Sequence, residues 1–213
     1  LLLRSQDQKT QSYQEYLACR DKATRDFICE SDLSLEFKGC FAERNPTVKL
    51  VEFDSEAETK IITGILFPLF NRTWDETLSY VKKMYPSQRR EVLASHFRDR
   101  TERWQKVGRA FENSYLRFEI AMNIGAYRDL HRHRMMTQDR QQFSVEHGYD
   151  VPAEIREAEL SDRYSEALES VKGLWQQISW RGLSSDEYVN RELAQYVVPL
   201  AYRIRFYQWQ NFR

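Results

Sequence analysis

Apolar side chains recur at Ile155, Ala158, Tyr164, Ala167, Leu168, Val171, Leu174, Trp175 and Ile178, a run that stays on one face only if the chain turns once every 3.6 residues or so. A stripe of that length needs an apolar surface opposite it, so it commits the chain to a packed core with a long helix against it. Pro152 lacks an amide and suits a first helical turn, and the spacing predicts a helix opened there. Tyr13, Tyr16, Leu17, Ala23, Phe27 and Ile28 repeat the pattern near the start and predict a second amphipathic helix.

Other segments read as strands or as helix starts. Val48 to Phe53 is short and β-prone, and Asp54-Ser55 could cap a following helix through Ala57, Ile61, Ile62, Ile65 and Leu66. Thr73 with Glu76, and Ser184 with Glu187, have the spacing of a capping box, which predicts two more helix starts. Tyr115, Phe118 and Ile120 suggest a half-buried strand between Phe111 and Met122, and Asn123 to Leu130 reads as a short helix. The Val, Tyr, Ile and Phe content of Tyr196 to Trp209 predicts a strand leading into a helix. The fold class is therefore α+β. Gly39 and Asn45-Pro46 make Leu33 to Pro46 the best linker, dividing an N-terminal helical segment, 1–46, from a main domain, 47–213.

Composition narrows the function. Thirty-two basic and 32 acidic side chains cancel, which argues against a nucleic-acid partner and against an anionic membrane surface. The longest apolar run, Ile61 to Phe70, is far short of the roughly 20 residues that span a bilayer and reads as buried core. Cys19, Cys29 and Cys40 are odd in number and lack C-x-x-C spacing, so they read as small buried hydrophobes in a reduced, cytoplasmic protein. The chain opens on Leu1-Leu2-Leu3-Arg4 and stops at Arg213 within an aromatic-rich stretch, and both ends read as cut.

Arg128, His131, Arg132, His133, Arg134 and Arg140 fall within thirteen residues, a local cationic cluster in a neutral chain. Forked guanidinium donors match phosphate geometry, so the cluster suits a phosphorylated ligand, with a solvated charged face as the alternative. His131 and His133, two apart, would need a third ligand to hold a metal, and none is expected. Neither a G-x-S-x-G elbow nor a G-x-G-x-x-G or P-loop pattern is present, which disfavours triad catalysis and Rossmann-type binding.

Phe111-Glu112, Phe118-Glu119-Ile120 and Gly125 to Arg134, ending in Arg132-His133-Arg134, resemble the central strand, helix and R-H-R signature of flavin-dependent thymidylate synthases (ThyX). Ala194 to Leu200 and Asn211-Phe212-Arg213 are similar to the family's later A-R-x-x-L-P and N-x-R stretches. The resemblance implies a ThyX-like fold, helix-rich with a central, mostly antiparallel sheet flanked by long helices. It further implies a homo-oligomer with sites at subunit or repeat junctions, and conversion of dUMP to dTMP with FAD, NADPH and methylenetetrahydrofolate. By position, Arg132, His133, Arg134, Glu112, Asn211 and Arg213 would hold FAD. Leu3-Arg4-Ser5 looks like the L-R segment that follows N-x-R in the family, making Arg4 the candidate pyrimidine-polarising arginine. Residues 1–46 could then be the tail of a preceding unit in a tandem protein, with 47–213 a second unit truncated at its C-terminus; an unrelated helical fragment is the alternative.

Departures concentrate on the substrate side. The family's Glu and Ser after R-H-R are Arg140 and Gln142 here, and the nearest serine, Ser144, comes two residues late. Asp129 stands for a Gln and Gln195 for a dUMP-contacting Arg, while Val107 and Arg109 replace the His and Thr of H-G-T-P-F-E. Arg109, Asp129, Arg140, Gln142, Ser144 and Gln195 are therefore the candidate substrate contacts of an altered dUMP site. A non-catalytic, structural or regulatory ThyX-like module is the other reading.

Overall fold

The structure, a computed structural model, describes residues 8–30, 47–182, 184 and 187–213. It divides into two compact units, Leu1–Ala42 and Glu43–Arg213.

The first unit contributes α1, Gln8–Glu30. Its charges pair along the surface, as in Lys22 to Asp26 at 2.6 Å, one turn apart. Tyr13 and Tyr16 stack with ring centroids 6.2 Å apart. Both rings are exposed, with Phe27 and Ile28. Cys19 is exposed as well, so the expected burial fails there, while the side chains of Cys29 and Cys40 and the linker at 33–46 lie outside the described residues.

The second unit is built on a four-stranded sheet, β1 (Thr47–Phe53), β2 (Leu116–Asn123), β3 (Thr137–Arg140) and β4 (Arg203–Gln210), in the order β1-β2-β4-β3. Every adjacent pair is antiparallel. Strand periodicity decides the faces: Ile120 on β2 and Ile204 and Phe206 on β4 point to one side, where they meet Tyr202 and Leu168 in the main core. Burying each of these larger side chains stabilises the unit by on the order of 2–3 kcal/mol. The Tyr202 hydroxyl donates to the Leu168 carbonyl at 2.7 Å, and burial pushes its pKa up to about 12.

Helices α2 (Ala57–Leu66), α3 (Trp74–Lys83), α4 (Pro86–Phe97), α5 (Ile124–Leu130), α6 (Ala153–Glu157), α7 (Ser161–Arg181) and α8 (Glu187–Ala194) complete the unit. The helix-rich, antiparallel α+β reading holds, and α3 carries both halves of the Thr73–Glu76 capping box. α8 does open at Glu187; the contacts described for Ser184 are backbone ones, its amide donating to Asn190 Oδ1 at 2.9 Å.

Several boundaries differ from expectation for local reasons. The stripe after Pro152 is two helices, because Glu159 takes a left-handed φ of 57° and turns the chain between α6 and α7. Residues Arg109–Asn113 form a 3-10 turn, so β2 begins only at Leu116. β4 is followed by irregular chain, not a helix. Asp54 does not cap α2; instead its carboxylate accepts from the Glu56 amide at 3.0 Å and from Lys60 Nζ at 2.8 Å. Of the apolar run 61–70, Ile61 and Ile62 are buried, but Phe67, Leu69 and Phe70 are exposed, so only its first half is core.

Candidate functional site

Antiparallel pairing gives the sheet two distinct ends. Thr137 of β3 lies opposite Trp209, and Leu116 of β2 opposite both Gln210 and Phe53. β2 and β3 therefore begin where β1 and β4 finish. α5 makes this geometry: capped by the Asn123 side chain, which accepts from the Ala126 amide at 2.8 Å, it returns from the far end of β2 towards the start of β3. Tyr127 anchors it, its ring 4.7 Å from that of Phe206, and burial raises the pKa of the hydroxyl.

Arg132-His133-Arg134 emerges from α5 as a turn, the Arg132 and His133 amides donating to the Asp129 and Leu130 carbonyls at 3.2 and 3.1 Å. All three side chains are exposed. Arg132 pairs with Asp129 at 3.4 Å, whereas neither the His133 ring nor the Arg134 guanidinium makes a hydrogen bond or ion pair among the described residues.

Asn211-Phe212-Arg213 runs out from the same end of the sheet. The Phe212 amide donates to the Phe111 carbonyl at 3.2 Å, and Asn211 Oδ1 accepts from the Arg213 amide at 3.0 Å. Arg213 forms an ion pair with Glu112, which Arg109 approaches at 3.5 Å from the next turn. The Arg213 hydrogen bond, assisted by the Arg109 charge, holds the Glu112 carboxyl below its ordinary pKa. Glu112, Asn211 and Arg213 thus form one connected network, and Arg109, expected on the substrate side, belongs to it.

Arg140, Gln142, Ser144 and Gln195 gather at and past the last residue of β3, which lies opposite the middle of β4. Arg140 closes β3, its guanidinium 4.0 Å over the Phe143 ring and donating to the Gln141 carbonyl. Gln142 donates to Glu192 on α8 at 2.6 Å, and Gln195 accepts from the Phe143 amide at 3.0 Å. Ser144 is buried and accepts from the Glu146 amide at 3.3 Å. Met135, Met136 and three strand residues, the latter about 10 Å of chain, separate this cluster from the R-H-R turn. Asp129 stays with Arg132, and Arg4 lies outside the described residues.

Two groups to which sequence reasoning assigned no ligand role stand out here. His147 is buried, with Nε2 2.9 Å from Gln141 Oε1 and Nδ1 unpartnered, and burial, then the Arg205 charge, lowers its pKa. Arg205 bonds Glu119 at 2.8 Å while its Nε and NH2 are buried without a partner. Strand alternation marks Arg205 as facing away from the apolar core, but nothing in the sequence shows that the 141–147 segment folds back towards it.

A sheet with exposed forked cations at one end suits an anionic, diphosphate-bearing ligand, and the donor set of Arg132, His133 and Arg134 fits such a group. This α+β fold is shared with structures of the UMP/dUMP methylase PolB from Streptomyces cacaoi, which superpose with TM-scores of 0.57 (bound with 5-Br UMP) and 0.59 (bound with 5-Br dUMP). Each is 16% identical and covers 80% of this chain, and 74% and 75% of the respective neighbour, a likeness of fold. Residues 69–213 match the family model described as thymidylate synthase complementing protein, and the chain belongs to that family. It is 37% identical over 169 residues to a UPF0159 protein of Chlamydia pneumoniae and 34% identical over 168 to one of Chlamydia muridarum. These matches cover 79% and 77% of this chain, which spans about 30% of the length of either relative.

Proposed function

We propose that the chain is part of a flavin-dependent thymidylate synthase that converts dUMP to dTMP using FAD, NADPH and methylenetetrahydrofolate. The observation that carries this reading is the convergence at one end of the sheet of the R-H-R turn with the Glu112–Arg213–Asn211 network. Arg132 and Arg134 would neutralise the diphosphate of FAD, and His133 and Asn211 would donate or accept along it. Arg213 would stay oriented by its ion pair with the Glu112 carboxylate. When bound, FAD would supply hydride transfer to the one-carbon unit passed to the pyrimidine. dUMP would enter beside the end of β3, with Arg140 the one cation among Arg140, Gln142, Ser144 and Gln195. We further propose that residues 1–46 are the tail of a preceding similar unit, for which relatives more than three times the matched length leave room, and that the protein is a cytoplasmic homo-oligomer.

A second reading, a non-catalytic module, is favoured by one specific observation. Gln142 and Gln195 are both engaged in intramolecular bonds, tying the 142–143 segment to α8 and its following turn. In this reading the altered dUMP end has become scaffolding. Incubating the full chain with FAD, NADPH, methylenetetrahydrofolate and dUMP, and following dTMP by chromatography, separates the two. Product formation supports the synthase; flavin retention without product supports the module.

A further inference from the structure

Between α4 and the Arg109–Asn113 turn, residues 98–109 carry five cations and two carboxylates around one tryptophan. The loop is internally tied. Gln105 Oε1 accepts from the Thr101 and Glu102 amides at 2.8 and 2.9 Å, and Arg100 Nε donates to the Gln105 carbonyl at 2.8 Å. Its base is fixed too: Gly108 takes a φ of 86°, which turns the Val107 carbonyl to within 3.0 Å of His96 Nε2. The His96 and Phe97 rings pack on Phe111, one residue before Glu112.

Trp104 lies within this bonded stretch and is 75% exposed, although a large aromatic gains most from burial. In the same loop a depression of about 210 Å³ is lined by His96, Asp99, Arg100, Gln105 and Lys106, Gln105 following Trp104 in sequence. An exposed indole in an internally bonded loop, with Arg103 and Lys106 one and two residues from it in sequence, has the composition of a stacking platform for a flat heteroaromatic ring that carries acidic groups. Because the loop leads directly into Arg109 and Glu112, its ligand would lie next to the cofactor end of the sheet.

We propose that Trp104, with Arg103 and Lys106, binds the second anionic heteroaromatic ligand of the reaction, either the nicotinamide dinucleotide phosphate or the folyl glutamate. The proposal rests on the synthase reading above. Trp104 takes the ring by stacking, and Arg103 and Lys106 take phosphate or carboxylate groups. Arg100 keeps the loop in shape through its bonds to the Gln105 and Arg103 carbonyls, so it is a positioning residue.

The test is calorimetric titration of the full chain and its variants with NADPH and, separately, with methylenetetrahydrofolate triglutamate, with FAD titrated in parallel. Trp104→Ala is expected to raise the dissociation constant of one probe about tenfold or more, with Trp104→Phe recovering most of the loss and FAD affinity unchanged. Lys106→Glu should weaken the same probe, identifying which source the site takes. A chain that binds no FAD yet loses a probe through Trp104→Ala would sink the synthase reading and leave the platform standing. Unchanged affinity for both probes in Trp104→Ala overturns the platform, as does a wild type that binds neither. A shift in assembly mass with unchanged probe affinities would make Trp104 a protein contact and likewise overturn it.

Discussion

Arg203 shows how far a single charge shapes the unit. Its side chain is 8% exposed, Nε and NH2 both reach Asp150, at 2.8 and 2.5 Å, and NH2 also donates to the Tyr149 carbonyl. Truncating Asp150 would strand that cation, so Asp150→Ala should destabilise the unit by about 2–3 kcal/mol, read from denaturant unfolding. His147, a few residues away, sets a pH dependence. Its folded pKa lies below the unfolded value of about 6.5, so below that pH the unfolded chain binds more protons and stability falls as pH falls. Melting temperature should therefore drop between pH 7 and pH 5, and His147→Gln should flatten the drop. None of this was legible in the sequence, where Asp150 and Arg203 are 53 positions apart and His147 reads as one more polar residue. The R-H-R turn was legible, because three forked or ring donors in a row keep their chemistry whatever surrounds them.

Secondary-structure elements were read well where period and cap agreed. α3 follows from Thr73 and Glu76, and Thr73→Ala should cost about 1 kcal/mol in thermal unfolding. α5 follows from Asn123 and the apolar residues behind it. The stripe after Pro152 misled, since Ile155, Ala158 and Tyr164 fit one period while Glu159 breaks the helix between them. That break carries strain a glycine would relieve, so Glu159→Gly should raise stability by about 1 kcal/mol. If stability instead fell, the left-handed turn would not be the feature separating α6 from α7. Phe67, Leu69 and Phe70 mark a second limit: apolar sequence shows that a surface seeks burial, and not whether this unit supplies the cover.

Across the whole Glu43–Arg213 unit, pairing order does what no motif could. The order β1-β2-β4-β3 brings residues 109–113, 132–134 and 211–213 to one end of the sheet, while β3 carries the chain away from it, Arg140 lying opposite Phe206 midway along β4. The sequence resemblance gave cofactor and substrate candidates without their placement on the sheet, and the structure sets Arg109, a substrate candidate by resemblance, beside Glu112. On the synthase reading proposed above, the end that carries Arg132, His133 and Arg134 would hold the cofactor whatever changes at positions 140–144. Flavin titration of the full chain, followed by the absorbance of the bound fraction and paired with Arg132→Ala and Arg134→Ala variants shown by melting to be folded, measures that end alone. Stoichiometric FAD binding in the wild type, weakened about tenfold or more in each variant, is the predicted result. A folded wild type that takes up no FAD, or variants that bind it as tightly as the wild type, would contradict it.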